Sequence, residues 1–282
     1  MSRITMNDVS VMSVQFVQHT FSHYLDTLQE CGLRLIDLWG GTPHFCALDR
    51  PDGSSAAASE LRKEIEDRGM RVVIYTPETL NYPFSYSAPS QALRDRTVAY
   101  MKTAMADALS FGTDRVFLNT GCHPRDLPRE EGWERTADSF RKLCRKAEEM
   151  GVKLVLEQLQ PYESNLCICL GDIRRMLEEV DSPALRVCVD LVAMEVAGED
   201  LQQYFDAFGD RIEWIHYSDS NHMIPGHGSF GREKLEGYVR TLERNGFKNG
   251  IDQKINDSIY WEDPYSSVKQ TAEYLRTFLP EK

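Results

Sequence analysis

The chain has 282 residues, of which 41% are hydrophobic and 27% charged. That is enough to bury a large core and near the upper size for one domain. The composition excludes disordered and fibrous architectures, and no apolar run approaches the roughly 20 residues that cross a bilayer. With 32 basic and 44 acidic residues the formal net charge is −12, which repels phosphate backbones and predicts neither a nucleic-acid nor a membrane partner. The N-terminus lacks a basic stretch followed by an apolar one, so a cytoplasmic location is expected.

Taken in chain order, short β-branched runs alternate with longer segments of helical spacing. A strand over Val9–Phe16 leads to a helix over Phe21–Cys31, then Arg34–Trp39 to Ala56–Arg68, and Arg71–Thr76 to Ser90–Phe111. Arg115–Asn119 precedes Trp133–Met150, Lys153–Gln158 precedes Asp172–Val180, and Leu185–Asp190 precedes Leu201–Phe208. Arg211–Tyr217 with Lys234–Arg244, and Gly250–Ile255 with Tyr265–Leu279, complete the series. Several helices run into a glycine suited to a left-handed C-cap, as at Phe111-Gly112 and Met150-Gly151. Eight strand–helix units imply parallel strands with helical crossovers and predict an α/β fold, a closed (β/α)8 barrel forming one domain over 1–282. An open doubly wound sheet would call for a glycine-rich phosphate loop after the first strand, and neither G-x-G-x-x-G nor G-x-x-x-x-G-K-[ST] occurs. The seven cysteines are scattered, and Cys167-x-Cys169 has the spacing of neither a zinc knuckle nor a redox pair, so free thiols are expected.

Chemistry in such a barrel sits at the C-terminal ends of the strands. Strand five (Lys153-Leu-Val-Leu-Glu157) ends in a carboxylate, as does strand six (Arg186-Val-Cys-Val-Asp190), and strand seven (Ile212-Glu-Trp-Ile-His216) ends in an imidazole. An ionisable group closing a buried apolar strand is costly unless it is paired or bound. Three in succession point into one mouth, and two carboxylates with an imidazole suit a divalent ion such as Mn²⁺, Mg²⁺, Co²⁺ or Zn²⁺.

These residues carry a resemblance. Leu38-Trp-Gly-Gly-Thr-Pro-His44, Tyr75-Thr-Pro-Glu-Thr79, Asn81-Tyr-Pro83, Leu156-Glu-Gln-Leu-Gln-Pro-Tyr-Glu-Ser-Asn165, Val189-Asp190, His216-Tyr-Ser-Asp219 and His222-Met-Ile-Pro-Gly226 occur in this order over almost the whole chain. Together they resemble the xylose-isomerase-like barrel superfamily, and within it the fructoselysine and ketose 3-epimerase branch. The resemblance implies a divalent metal held by Glu157, Asp190, His216 and a second Glu at the end of strand eight. It also implies 3-epimerisation of a ketose or ketose conjugate through an enediolate, with glutamates acting on opposite faces of the carbon, and a homo-oligomer. A carbon acid beside a carbonyl is very weak, so charge developing on the enediolate oxygen must be stabilised.

Strand eight departs from that pattern. It reads Gly250-Ile-Asp-Gln-Lys-Ile-Asn-Asp257, and the residue matching the second Glu is Lys254. Strand alternation points Gln253 to the other face, and a one-residue bulge would bring in Gln253 or Asp252 instead. A protonated lysine has no lone pair to offer a metal. Glu157, Asp190 and Lys254 already sum to −1, and a divalent ion beside an ammonium at roughly 4 Å meets a repulsion of about 4 kcal/mol per unit charge at an effective ε near 20. Three arrangements follow: a metal-free site with Lys254 paired to Glu157 or Asp190, a three-ligand metal site, or a metal site with a neutral amine base.

Glu157 and Lys254 are therefore the catalytic candidates. Glu163, His222, His123 and Trp39 are the candidates for contact with sugar hydroxyls or faces. The alternative to an enzyme is a catalytically degenerate barrel that binds a carbohydrate or a protein partner with Lys254 in the former metal position. A nuclease is disfavoured by the net charge and by a ligand set too small for three metals.

Overall fold

Side-chain alternation along eight short strands decides what this barrel encloses. A computed structural model describes residues 3–49, 56–80 and 83–282. The strands are β1 (Val9–Met12), β2 (Leu35–Gly40), β3 (Arg71–Pro77), β4 (Arg115–Leu118), β5 (Lys153–Glu157), β6 (Leu185–Asp190), β7 (Ile212–His216) and β8 (Ile251–Gln253). All pair in parallel and in sequence order, and β8 closes on β1. The predicted (β/α)8 barrel is the observed fold. Residues 81 and 82 of the Asn81-Tyr-Pro83 piece lie outside the described residues.

The helices on the outer ring are α1 (Phe21–Glu30), α2 (Ala56–Asp67), α3 (Gln91–Phe111), α4 (Arg129–Met150), α5 (Leu170–Val180), α6 (Leu191–Val196), α7 (Leu201–Phe208), α8 (Gly231–Arg244) and α9 (Pro264–Arg276). Ser90 and Asp200 cap α3 and α7 with side-chain acceptors, while Gly112 and Gly151 end α3 and α4 in the left-handed conformation that glycine adopts without steric cost. Helix α6 was not expected. At six residues it is too short to show a hydrophobic period, and what starts it is the Asp190 carboxylate, which accepts from the N–H groups of Val192 and Ala193 at 2.8 and 2.9 Å.

Outward-facing residues of the strands, such as Leu154, Leu156, Val187 and Val189, join the helices in one large core. Inward-facing residues form a separate layer of Leu35, Val73, Phe117, Val155, Cys188 and Trp214. Four of them sit two positions before a buried polar residue that faces inward: Leu35 before Asp37, Val155 before Glu157, Cys188 before Asp190, Trp214 before His216. The apolar plug supports the mouth because the period of a strand is two. At the opposite end of the barrel the buried Glu213 accepts from Arg115 at 2.7 Å and Lys153 at 3.1 Å.

Most strand bounds lie within a residue of the expected ones, and two strands end earlier. β1 stops at Met12 and Ser13–Phe16 forms a 3-10 turn, while β8 stops at Gln253. Beyond β8 the N–H of Lys254 folds back onto the carbonyl of Asp252 at 3.1 Å. This local turn leaves Asp252 and Lys254 both facing inward.

Candidate active site

Five side chains meet at the C-terminal mouth. Lys254 places its Nζ 2.9 Å from Glu157 Oε1 and 3.1 Å from Asp190 Oδ2. His216 donates from Nδ1 to the same Glu157 oxygen; a carboxylate can only accept, so the ring proton sits on Nδ1. His222 lies 2.8 Å by Nε2 from Asp190 Oδ2. All five residues are buried. Strand alternation delivers Glu157, Asp190 and His216, and the turn after β8 delivers Lys254. His222 is delivered by two successive residues with positive φ, Asn221 and His222, that aim the ring back into the barrel.

The charges set one another's ionisation. Burial opposes the Asp190 carboxylate, yet His222 and Lys254 outweigh it and hold its pKa well below the usual range. Burial likewise opposes the Lys254 ammonium, but Glu157, Asp190 and Glu163 raise its pKa well above that of a free lysine. Lys254 is thus held as a cation, and its ammonium takes the Glu157 and Asp190 oxygens that a divalent ion would need. Glu157 Oε1 already accepts from Lys254 and His216, and Asp190 Oδ2 from Lys254 and His222. The mouth as built does not fit the divalent ion implied by the resemblance.

Lys254, Glu157, Glu163 and Trp39 line one cavity with about 500 Å³ of empty space. Glu163 is half-buried and its Oε2 accepts from the N–H of Gln160 at 3.0 Å; burial, partly offset by Lys254, raises its pKa. Trp39 donates from its indole to Glu78 at 3.0 Å. Its ring packs where a side chain at position 41 would stand, since a Cβ on Gly41 would meet the indole at 2.2 Å. His222 does not line the cavity and is tied to its wall by way of Asp190 and Lys254. His123 bonds by Nδ1 to the carbonyl of Ser87 at 3.2 Å and packs against α4, where a Cβ on Gly132 would meet its ring at 2.3 Å. It is not a wall of this cavity.

Two further acids stand at the site: Asp37 escaped sequence reading, and Asp252 was weighed only as a bulge alternative to Lys254. Asp37 on β2 and Asp252 on β8 are fully buried and face His216 from inside the barrel. Their signal was present as polar residues inside strand-like runs, but both stand within a run rather than at its end.

Comparison with known proteins agrees with the fold. The family profile described as "Xylose isomerase-like TIM barrel" matches residues 25–277. Fructoselysine 3-epimerase of Escherichia coli O157:H7 is 30% identical over 92% of this chain and 94% of its own length. L-ribulose 3-epimerase of Mesorhizobium japonicum is 24% identical over 99% and 93%. Among solved structures, a D-psicose 3-epimerase crystallised in the presence of D-fructose superposes with a TM-score of 0.78 at 13% identity, covering 98% of this chain and 100% of that one. The 3-keto-D-glucoside 4-epimerase of E. coli gives 0.77 at 16%, covering 96% and 99%. The chain belongs to the xylose isomerase-like TIM barrel family, among its sugar isomerases and epimerases.

Proposed function

We propose that this mouth epimerises a ketose, or a ketose carrying a conjugated group, at C3 through an enediolate, with Lys254 as its cation. The observation that carries the reading is the Lys254 ammonium itself, fixed between Glu157 and Asp190 on the wall of the cavity. An ammonium preorganised in a water-poor pocket stabilises negative charge developing on the ketose C2 oxygen, and it costs no reorganisation when that charge appears. Glu157 is the base that takes the C3 proton. Glu163, whose carboxyl is shifted toward its protonated form by burial, returns one to the other face and so inverts the centre. Trp39 covers a sugar face, and His222 acts on the substrate through Asp190, holding that carboxylate against Lys254.

The 30% identity to fructoselysine 3-epimerase favours a ketose conjugate as substrate. The same reading takes the chain as one barrel domain over 1–282 and as a cytoplasmic homo-oligomer. Its partner is a small sugar rather than a nucleic acid, in keeping with the net charge of −12. No helix among the described residues is long and apolar enough to cross a membrane.

The test is proton exchange. Purified protein is incubated in D₂O with fructoselysine, and separately with free ketoses, and deuterium at C3 is followed by NMR. Expected are solvent deuterium at C3 and an epimer pair, with Glu157→Gln slower by about 10²–10⁴-fold. Sugar binding without any exchange would replace this reading with the non-catalytic one, in which the Lys254 ion pairs have silenced the site.

A further inference from the structure

Deeper in the barrel than Lys254, by two residues along β8, three fully buried polar atoms face one another without a partner. They are Asp37 Oδ2, Asp252 Oδ2 and His216 Nε2. Unpaired polar atoms at this depth are expensive, and a native interior supplies something for them to bind. We propose that Asp37, His216 and Asp252 form a divalent-metal site inside the barrel, for an ion of the Zn²⁺, Co²⁺ or Mn²⁺ class.

Geometry comes first. One donor atom from each of the three residues lies within 4.8 Å of the others. His216 Nε2 stands 3.9 Å from Asp37 Oδ2. That is too far for a hydrogen bond, so a proton on Nε2 would have no acceptor. Two ligands of a tetrahedral ion, each bonded at about 2.0–2.2 Å, stand roughly 3.3–3.6 Å apart, so a shift of a few tenths of an ångström brings both onto one ion.

The surrounding residues are those a metal site uses. Thr76 Oγ1 donates to Asp37 Oδ1 at 2.6 Å, and Ser10 Oγ donates to Asp252 Oδ1 at 2.5 Å. Each bond engages one carboxylate oxygen and leaves the other facing His216. The imidazole donates its other nitrogen, Nδ1, to Glu157, the kind of outer partner that orients a ligand histidine and makes Nε2 a stronger donor to a metal. Two carboxylates and one imidazole suit a borderline divalent ion.

Placement agrees. An ion on the far side of His216 is separated from the Lys254 ammonium by the imidazole ring and the Glu157 carboxylate. The mouth itself has no such room, since there Lys254 takes the oxygens.

All three ligands are sealed from solvent, so the ion enters as the barrel closes and leaves only when it opens. The experiment unfolds the full chain in guanidinium with EDTA and refolds it with Zn²⁺, with Co²⁺ or with neither. Metal content is measured after dialysis against EDTA. The expected result is one equivalent retained by the native protein, with cobalt d–d absorption in the Co²⁺ sample. Asp252→Asn should lose that equivalent and Asp190→Asn should keep it. Ser10→Ala, which leaves all three ligands and risks little in folding, should weaken binding by about 10–100-fold. Retention in Asp252→Asn with loss in Asp190→Asn would place the ion at the mouth and overturn the proposal, as would refolding in which no ion is retained at all. These readouts need no sugar, so they stand or fall independently of the epimerase assay.

Discussion

The Lys254 ammonium, just past β8, reaches Asp190 at the end of β6, with Nζ 3.1 Å from Oδ2. It thereby bypasses His216 on the strand between them and ties together two staves that do not pair. Asp190 answers with its second oxygen, which starts α6. One carboxylate thus joins Lys254 to the helix that follows β6.

Lys254→Met removes the cation and leaves Glu157 and Asp190 facing one another. Breaking a buried pair in this way costs about 3–5 kcal/mol. In the native protein the folded pKa of Lys254 is raised above its ordinary 10.5, so its contribution is complete below that pH and is lost as pH climbs through the folded value. The folded pKa of Asp190 is depressed below its ordinary 3.8, so its contribution is present above that pH and is lost as pH falls through the folded value. The pair therefore gives a flat stability profile between those two limits. In the variant, acidification toward pH 5 should recover stability as a carboxylate takes up a proton. Urea titrations at several pH values measure both, and a variant as stable as wild type at pH 8 would contradict the buried-pair account.

Lys254→Glu should convert the mouth into a metal site. The substitution removes an ammonium and adds a carboxylate, so Glu157 and Asp190 gain a third carboxylate beside them and lose their competitor. Calorimetric titration with Mn²⁺ should then show one more equivalent than wild type. Equal binding by the two proteins would mean that Lys254 does not exclude the ion.

Gly250→Ala tests how β8 is placed. Gly250 has φ +85, and a Cβ there would stand 2.2 Å from the carbonyl oxygen of Asp8. An obstacle made of backbone cannot rotate away, and positive φ adds strain of order 1–3 kcal/mol. Thermal unfolding should fall by several degrees, and the displaced β8 should lower C3 exchange because Lys254 follows it directly.

The cysteines should divide by burial. Cys31, Cys144, Cys167 and Cys188 are buried and free. Burial pushes Cys144 up to about 12 and Cys188 up to about 11, so neither thiolate forms near neutral pH. A thiol reagent should leave these four unmodified in the native protein and reach all seven after denaturation. Rapid native labelling of Cys144 or Cys188 would refute the packing described here.

How far the chain could be read without its structure follows from the range of each interaction. Strand–helix alternation, glycine caps and the strand ends Glu157, Asp190 and His216 are set by neighbours a few residues apart, and all were legible as sequence pattern. The match of Lys254 to a family glutamate position was legible as well. What the lysine touches was not, because Glu157 lies 97 residues away and Asp190 64 residues away. The same holds for Asp37 and Asp252, ordinary polar residues in the sequence that become a facing pair only when β8 closes on β1 and β2. His123 shows the converse, since a histidine after β4 reads as a mouth residue until α4 packs over it. The local pattern determined which side chains point inward; barrel closure alone decided which of them meet, because that depends on register and tilt summed around eight strands.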